Sequence, residues 1–319
     1  MSWKIAALVA AVLLSPLAVL AQAYPTKPVK VIIVFPPGGS NDVTGRIVFQ
    51  KVTESVGQQF VIENRGGAAG TIGADIVAKS PNDGYTIMVQ SATHIANAHL
   101  YKKLPYDTLG DFIGITAMAR QVGILVVHPS LPVKNTKEFI ALAKARPGEL
   151  VYGSSGNGSF VHLTMALLNS MTNTKMVHVP YKGGGPVNIA IASGEVQAII
   201  ATIASVVPNL NSKRVRALAV TSDKRTTQYP DVPALAETIP GYEFTAWVGA
   251  FAPKGTPKPV IDKLNAEIRK ALADPGVSSK LSAQTLDPMP MTPEQFAARL
   301  KSDYEKYGKV VKLSGATLD

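Results

Sequence analysis

Three times in this chain an apolar, β-branched run breaks into a glycine-rich turn and then into a helical pattern. Val31 to Phe35 leads into Pro36-Pro37-Gly38-Gly39-Ser40-Asn41, Leu150 to Gly153 into Ser154-Ser155-Gly156-Asn157-Gly158-Ser159, and Val177 to Tyr181 into Lys182-Gly183-Gly184-Gly185-Pro186. Each turn is a candidate anion cradle, because a strand-to-helix turn presents unpaired backbone N–H groups at the positive end of the helix dipole. Several such turns converging point to an acidic small molecule. Strand-like and helix-like stretches alternate through most of the chain, which makes the expected fold class α/β.

The amino terminus reads as an export leader. Lys4 precedes an apolar stretch from Ile5 to Leu14, a break at Ser15-Pro16 and the small-residue triplet Ala21-Gln22-Ala23, the pattern of a secretory signal peptide cleaved after Ala23. A membrane anchor is the rival reading, but the apolar core is far short of the roughly 20 residues that span hydrocarbon. The chain from Tyr24 to Asp319 is therefore expected to be soluble and exported. It contains no cysteine, which excludes disulfides, thiolate metal sites, cysteine nucleophiles and an acylated cysteine anchor. Removing 23 residues from 319 leaves a chain long enough to bury a sizeable core and to split into two domains.

Lysine and arginine outnumber aspartate and glutamate by 32 to 22, a formal charge of +10 that becomes +9 once Lys4 is removed. The basic residues are scattered in short clusters such as Lys213-Arg214-Val215-Arg216, without interleaved aromatics, so a nucleic-acid platform is the weaker reading.

Nine strands are expected, among them Gly123 to His128 and Phe244 to Phe251. Helical spacing runs from Asn41 to Val56, Thr136 to Ala145 and Phe160 to Leu168, then from Thr256-Pro257 through Leu272 and from Thr292-Pro293-Glu294 through Val311. Two long apolar segments without helical period, Ile113 to His128 and Phe244 to Ala252, stand where a chain would cross between two domains. If they pair, they form a two-strand hinge and make the first lobe discontinuous.

Catalytic patterns fail one after another. From Gly153 a nucleophile elbow would need glycine where Asn157 stands, and a dinucleotide fingerprint from Gly156 would need glycine at Val161. None of the five histidines forms a helical zinc pair. His128 and His178 read as satisfied strand histidines; His162, just inside a helix after a serine-glycine turn, is the one to place near a site, in a capping or supporting role. No cofactor and no metal are expected.

Five blocks in order then resemble a known family: Phe35 to Asp42 with Arg46, Glu63-Asn64-Arg65-Gly66-Gly67-Ala68-Ala69-Gly70, Tyr152 to Ser159, His178-Val179-Pro180-Tyr181-Lys182-Gly183-Gly184, and Phe251-Ala252-Pro253-Lys254-Gly255-Thr256-Pro257. They look like the Bug family, the periplasmic solute-binding proteins of tripartite tricarboxylate transporters. The resemblance implies a two-lobed, type II flytrap with a two-strand hinge, residues 24–123 and 247–319 forming the first lobe and 124–246 the second. It implies a monomer that binds a di- or tricarboxylate, plain or aromatic, and delivers it to a two-component membrane permease, with no nucleic acid as partner.

Carried onto this chain, the resemblance has Gly38, Gly39 and Ser40 hold a carboxylate through backbone N–H groups and water, with Asp42 as a first-turn helix acid. Ala69, Gly70 and Thr71 would close over the ligand. Arg65 would supply a guanidinium or a salt bridge, and Ser91, Thr93 and His94 side-chain hydrogen bonds. From the second lobe Ser154, Ser155, Gly156 and Ser159 would grip the far end or cap their helix, with Tyr181, Lys182 and Gly183 completing the wall. Trp247 would stack on an aromatic ligand or be a buried structural residue. One departure stands out: Thr202 occupies the place where the family commonly carries an aspartate, which favours ligands without an amino group. Two rival readings remain at this stage, a sensory module presenting its liganded form to a membrane partner and an exported hydrolase.

Overall fold

The computed structural model describes residues 24–318; the expected signal peptide and its cleavage point lie outside the described residues. The chain begins with β1 (Val29–Ile33), α1 (Ser40–Val56), β2 (Phe60–Asn64), α2 (Thr71–Ala78), β3 (Thr86–Ser91), α3 (Thr93–Leu100) and β4 (Phe112–Gln121). It crosses into β5 (Gly123–Val127), α4 (Thr136–Ala145), β6 (Val151–Ser154), α5 (Phe160–Thr172), β7 (Val177–Pro180), α6 (Gly184–Ser193), β8 (Ala198–Thr202), α7 (Ile203–Asn211) and β9 (Arg216–Val220). It returns as β10 (Ala246–Pro253), α8 (Lys258–Leu272), α9 (Pro275–Ala283), β11 (Leu286–Pro288) and α10 (Pro293–Ser314).

Two sheets result, ordered β11-β4-β10-β3-β1-β2 and β7-β6-β8-β5-β9. In the first, β1 pairs in parallel with β2 and β3, while β10 runs antiparallel between β3 and β4. In the second, β6 pairs in parallel with β7 and β8, and β5 runs antiparallel between β8 and β9. Central strands are covered on both faces, and every residue of β5 and β10 is buried, which explains their continuous apolar composition.

The two crossings lie side by side. β4 passes into β5 through Val122 alone, and the returning chain pairs Ala246 with Gln121 as it enters β10. Just before it, the Phe244 N–H donates to the Thr221 carbonyl at 3.0 Å, and the Gly123 N–H donates to Thr221 Oγ1 at 2.8 Å. The expected pairing of the two apolar segments forms, with one correction: β10 starts at Ala246 rather than Phe244, since Phe244 and Thr245 are used in the crossing. Three further corrections are local. His128 falls just beyond β5, where its Nδ1 shares a 2.7 Å hydrogen bond with Ser130 Oγ. Thr256 does not cap α8; its hydroxyl donates to the Pro253 carbonyl at 2.8 Å and Pro257 takes the cap position. Asp274 does not merely stop α8 but caps α9 through the Gly276 and Val277 N–H groups.

One apolar core runs without interruption from the first sheet to the second, and α10 is what joins it. Phe296, Tyr307 and Val310 on its inner face are buried. Phe296 meets Trp247 edge-on at 5.2 Å, and Tyr307 lies 4.9 Å from Phe244 at the crossing. Helix α10 packs against α3 of the first lobe and α5 of the second. Burial of each such aromatic contributes about 1.5–3 kcal/mol, so the carboxyl-terminal helix is a principal support of the hinge.

Candidate ligand-binding cleft

The described helices begin in two ways. α4, α9 and α10 are capped by their own side chains, Asn135, Asp274 and Thr292. α1, α2, α3, α6, α7 and α8 start at Gly39, Gly70, Ala92, Gly183, Thr202 and Pro257, none of which supplies a side-chain cap. An uncapped helix leaves N–H groups without partners at the positive end of its dipole, at a cost of roughly 0.5–2 kcal/mol where alanine stands at the cap and a few tenths where glycine does. Of these starts, those of α1, α3 and α7 line the space between the lobes, beyond the carboxyl ends of parallel strands, where α/β sheets bind ligands.

That space has three connected compartments. One of about 430 Å³ is walled by Gly39, Ser40, Asn41, Ser91, Thr93 and Gln121. A second of about 330 Å³ shares Ser40 and Gln121 and adds Gly38, Thr202 and Ser205. A third of about 450 Å³ shares Thr93 and extends along Ala69, Ala96, Leu100, Phe160 and Tyr307. Among the described residues, no charged side chain lines any of the three.

The charges near the cradle are turned away from it. Asp42 is 4% exposed and accepts from the Gly38 N–H, Arg46 Nε and Asn64 Nδ2, each at 2.9 Å. Burial pushes its carboxyl up, but the hydrogen bonds from Arg46, Gly38 and Asn64 outweigh that and hold it below the usual range. Asp42 therefore shapes the turn and stays ionised within it. Arg65 is exposed and pairs with Glu63 at 2.9 Å, so its salt-bridge reading is the one the geometry takes.

Opposite the α1 turn, the chain enters α2 through a left-handed bend, with φ of +45° at Ala68, +53° at Ala69 and +90° at Gly70. Asn97 Nδ2 donates to the Ala69 carbonyl at 3.0 Å and holds this strained bend in place. A Cβ at Gly70 would lie 2.6 Å from Gln90 Nε2 and 2.8 Å from Val34 Cγ2, so glycine is required by space as well as by φ. Ser91 Oγ donates to Thr93 Oγ1 at 3.0 Å, leaving the Thr93 hydroxyl hydrogen free to turn toward the cleft. His94 is placed behind the floor: fully buried, with Nε2–H donating to the Thr108 carbonyl, and pushed down to about 4 by burial.

The second lobe's turn is internally satisfied. Ser154 is fully buried, and its hydroxyl takes the Gly156 N–H at 3.1 Å and shares a 2.6 Å hydrogen bond with His178 Nε2. A serine–histidine contact of that length is the geometry of an activated nucleophile, yet this oxygen faces the interior and supports the turn. Gly158 donates to His162 Nδ1 at 3.1 Å, Ser159 caps α5 by accepting from the His162 N–H, and the Ser159 N–H goes to the Gly156 carbonyl. Ser155, Gly156 and Ser159 remain on the cleft wall, whereas Ser154 lies behind it.

Tyr181, Lys182 and Gly183 stand one step back from the three compartments; the Tyr181 hydroxyl donates to Glu195 at 2.7 Å and Lys182 is exposed. Trp247 has no exposed surface and donates from Nε1 to Asp303 at 2.8 Å, so its structural reading replaces stacking on a ligand. Gln121, Asn97 and Tyr307 were not foreseen: they reach the cleft from a strand end and two helix faces, where local pattern marks only buried residues. Among the described residues no group of three or more His, Asp or Glu is arranged to hold a metal ion, and no helix is long and apolar enough to cross a membrane.

The profile of the tripartite tricarboxylate transporter family receptor matches residues 44–316. The chain belongs to that receptor family. BugT of Bordetella pertussis is 35% identical over 303 residues, 94% of this receptor and 93% of BugT. Among solved structures, that of R. palustris Rpa4515 with adipate superposes with a TM-score of 0.79 at 35% identity, covering 92% of this receptor and all of that chain. MatC from Rhodopseudomonas palustris with bound malate gives 0.74 at 31% identity, over 90% and 100% of the two chains. The expected Bug-type, two-lobed receptor is thus what the chain is.

Proposed function

We propose that this receptor closes its lobes over a small carboxylate lacking an ammonium group and presents the closed form to a two-component membrane permease. The observation that carries the reading is the set of uncapped starts of α1, α3 and α7 around a cleft without charged walls: carboxylate oxygens supply the missing caps, and three dipoles supply the field. The adipate and malate held by the two related structures support the ligand class. Thr202 offers no carboxylate to an ammonium, and none stands elsewhere on the compartment walls.

Residues 24–123 with 247–319 move against 124–246 about the paired crossings near Val122 and Thr245. Export with cleavage after Ala23, a monomeric state and a purely binding role complete the proposal. Thermal unfolding of the refolded chain from Tyr24 tests it. At 100 times Kd a ligand adds about 2.7 kcal/mol to the native state, a midpoint rise of a few degrees. Carboxylates should raise the midpoint and their amides should not; aspartate or glutamate binding more tightly than succinate would overturn the ammonium clause. Loss of carboxylate uptake on deletion separates transport from sensing.

A further inference from the structure

We infer that the carboxylate bound here carries an apolar body, aryl or medium-chain alkyl, in place of a second charged group; the inference rests on the carboxylate reading above and narrows it. The cleft is chemically asymmetric. At one end the starts of α1, α3 and α7 leave N–H groups without side-chain caps. At the other, the turn before α5 has spent the N–H groups of Gly156, Gly158, Ser159 and His162 on its own atoms. A second carboxylate placed there would give up water for a wall with no cation and with four of its backbone donors already paired, which is unfavourable for a charge.

The same end is built to hold carbon. The compartment of about 450 Å³ is walled mainly by apolar side chains from both lobes and the joining helix, among them Leu100, Phe160, Leu163 and Tyr307, with uncharged Asn97, Ser155, Asn157 and Ser159 among its polar members. Gly158 brings the second lobe against the first, since a Cβ there would lie 2.6 Å from Leu100 Cδ2. The Leu318 N–H donates to the Leu100 carbonyl at 2.8 Å and brings another apolar side chain to the wall. Thr93 belongs to both this compartment and the polar one, so a ligand seated by its carboxylate at α3 extends directly into the apolar space. The volume lies in the range of small-molecule sites lined by apolar side chains with a few polar anchors.

Calorimetric titration of the refolded chain from Tyr24 with acetate, butyrate, hexanoate, phenylacetate, adipate, hexanamide and adipamide tests the inference. Hexanoate and adipate have the same carbon count and differ in one carboxylate. Hexanoate should bind at least tenfold more tightly than adipate, and affinity should rise about fourfold per methylene from acetate to hexanoate. Phe160→Ala should reduce the hexanoate-to-acetate affinity ratio several-fold, its thermal midpoint verifying the fold. Adipate matching or exceeding hexanoate, while both exceed their amides, overturns the apolar body and leaves the carboxylate reading standing. Hexanamide matching hexanoate overturns the carboxylate reading itself, and no binding by any of them overturns both.

Discussion

The imidazole rings of His162 and His178 lie face to face, their centroids 3.9 Å apart and their planes within 5° of parallel. Both hold the turn that walls the second lobe's side of the cleft, one through Gly158 and the other through Ser154. Two cations cannot share that spacing, and the proton that would charge His162 belongs on the Nδ1 that accepts from Gly158. Burial, and then the neighbouring ring, push His162 down to about 4, and burial lowers His178 as well.

Stability should therefore fall with acid. An unfolded histidine takes up its proton near pH 6.5, whereas folded His162 and the equally depressed His94 do so near 4. Their contribution is complete above 6.5 and is lost as pH drops toward 4, at about 1.4 kcal/mol per pH unit for each ring. Thermal unfolding at intervals between pH 7 and pH 4 should show the decline, and His162→Gln should make it shallower.

Gly39→Asp should separate stability from binding. Gly39 has the extended φ and ψ of a cap residue, and a Cβ there meets only the Pro36 carbonyl at 3.8 Å. The new carboxylate would cap α1 and stabilise the ligand-free protein by a few tenths to about 1 kcal/mol. It would also occupy the site of the ligand's own carboxylate, so affinity should drop at least tenfold by calorimetry. A variant that binds as well as the parent would remove α1 from the cradle.

Gly70→Ala should cost about 2–4 kcal/mol in denaturant unfolding. The left-handed backbone accounts for roughly 1–2 kcal/mol, and the rest comes from displacing Gln90 and Val34, which a Cβ would approach within 2.8 Å. The bend that carries Ala69 to the cleft should shift with them and weaken carboxylate binding.

Trp247→Phe should lower stability by about 1.5–3 kcal/mol, the range for a hydrogen bond to a charged partner, while preserving the order of preference among ligands. Asp303, 2% exposed, would keep only its 2.7 Å bond from Arg299. In a chain beginning at Tyr24, Trp247 is the sole tryptophan. Its fluorescence should respond to ligand through the hinge, without contact.

The parts of this fold legible in the sequence are those specified locally. β-branched runs ending in glycine mark strand-to-helix turns, and Thr292 with Gln295 forms the capping box that starts α10. The fate of Ser154 was not legible, because it depends on His178, brought alongside by the parallel register of β6 and β7. Gln121, Asn97 and Tyr307 escaped for the same reason, since only the assembled lobes bring them to one cleft. Short α9 and three-residue β11 have too little periodicity to announce themselves.

Backbone donors have an evolutionary consequence. A point substitution at Leu163 or Phe160 can reshape the apolar wall at some cost in packing, but the N–H groups at the starts of α1, α3 and α7 are common to every residue except proline. Mutational drift in such a receptor is channelled: the appetite for a carboxylate is inherited almost intact, while the shape of what is attached to it can change one side chain at a time.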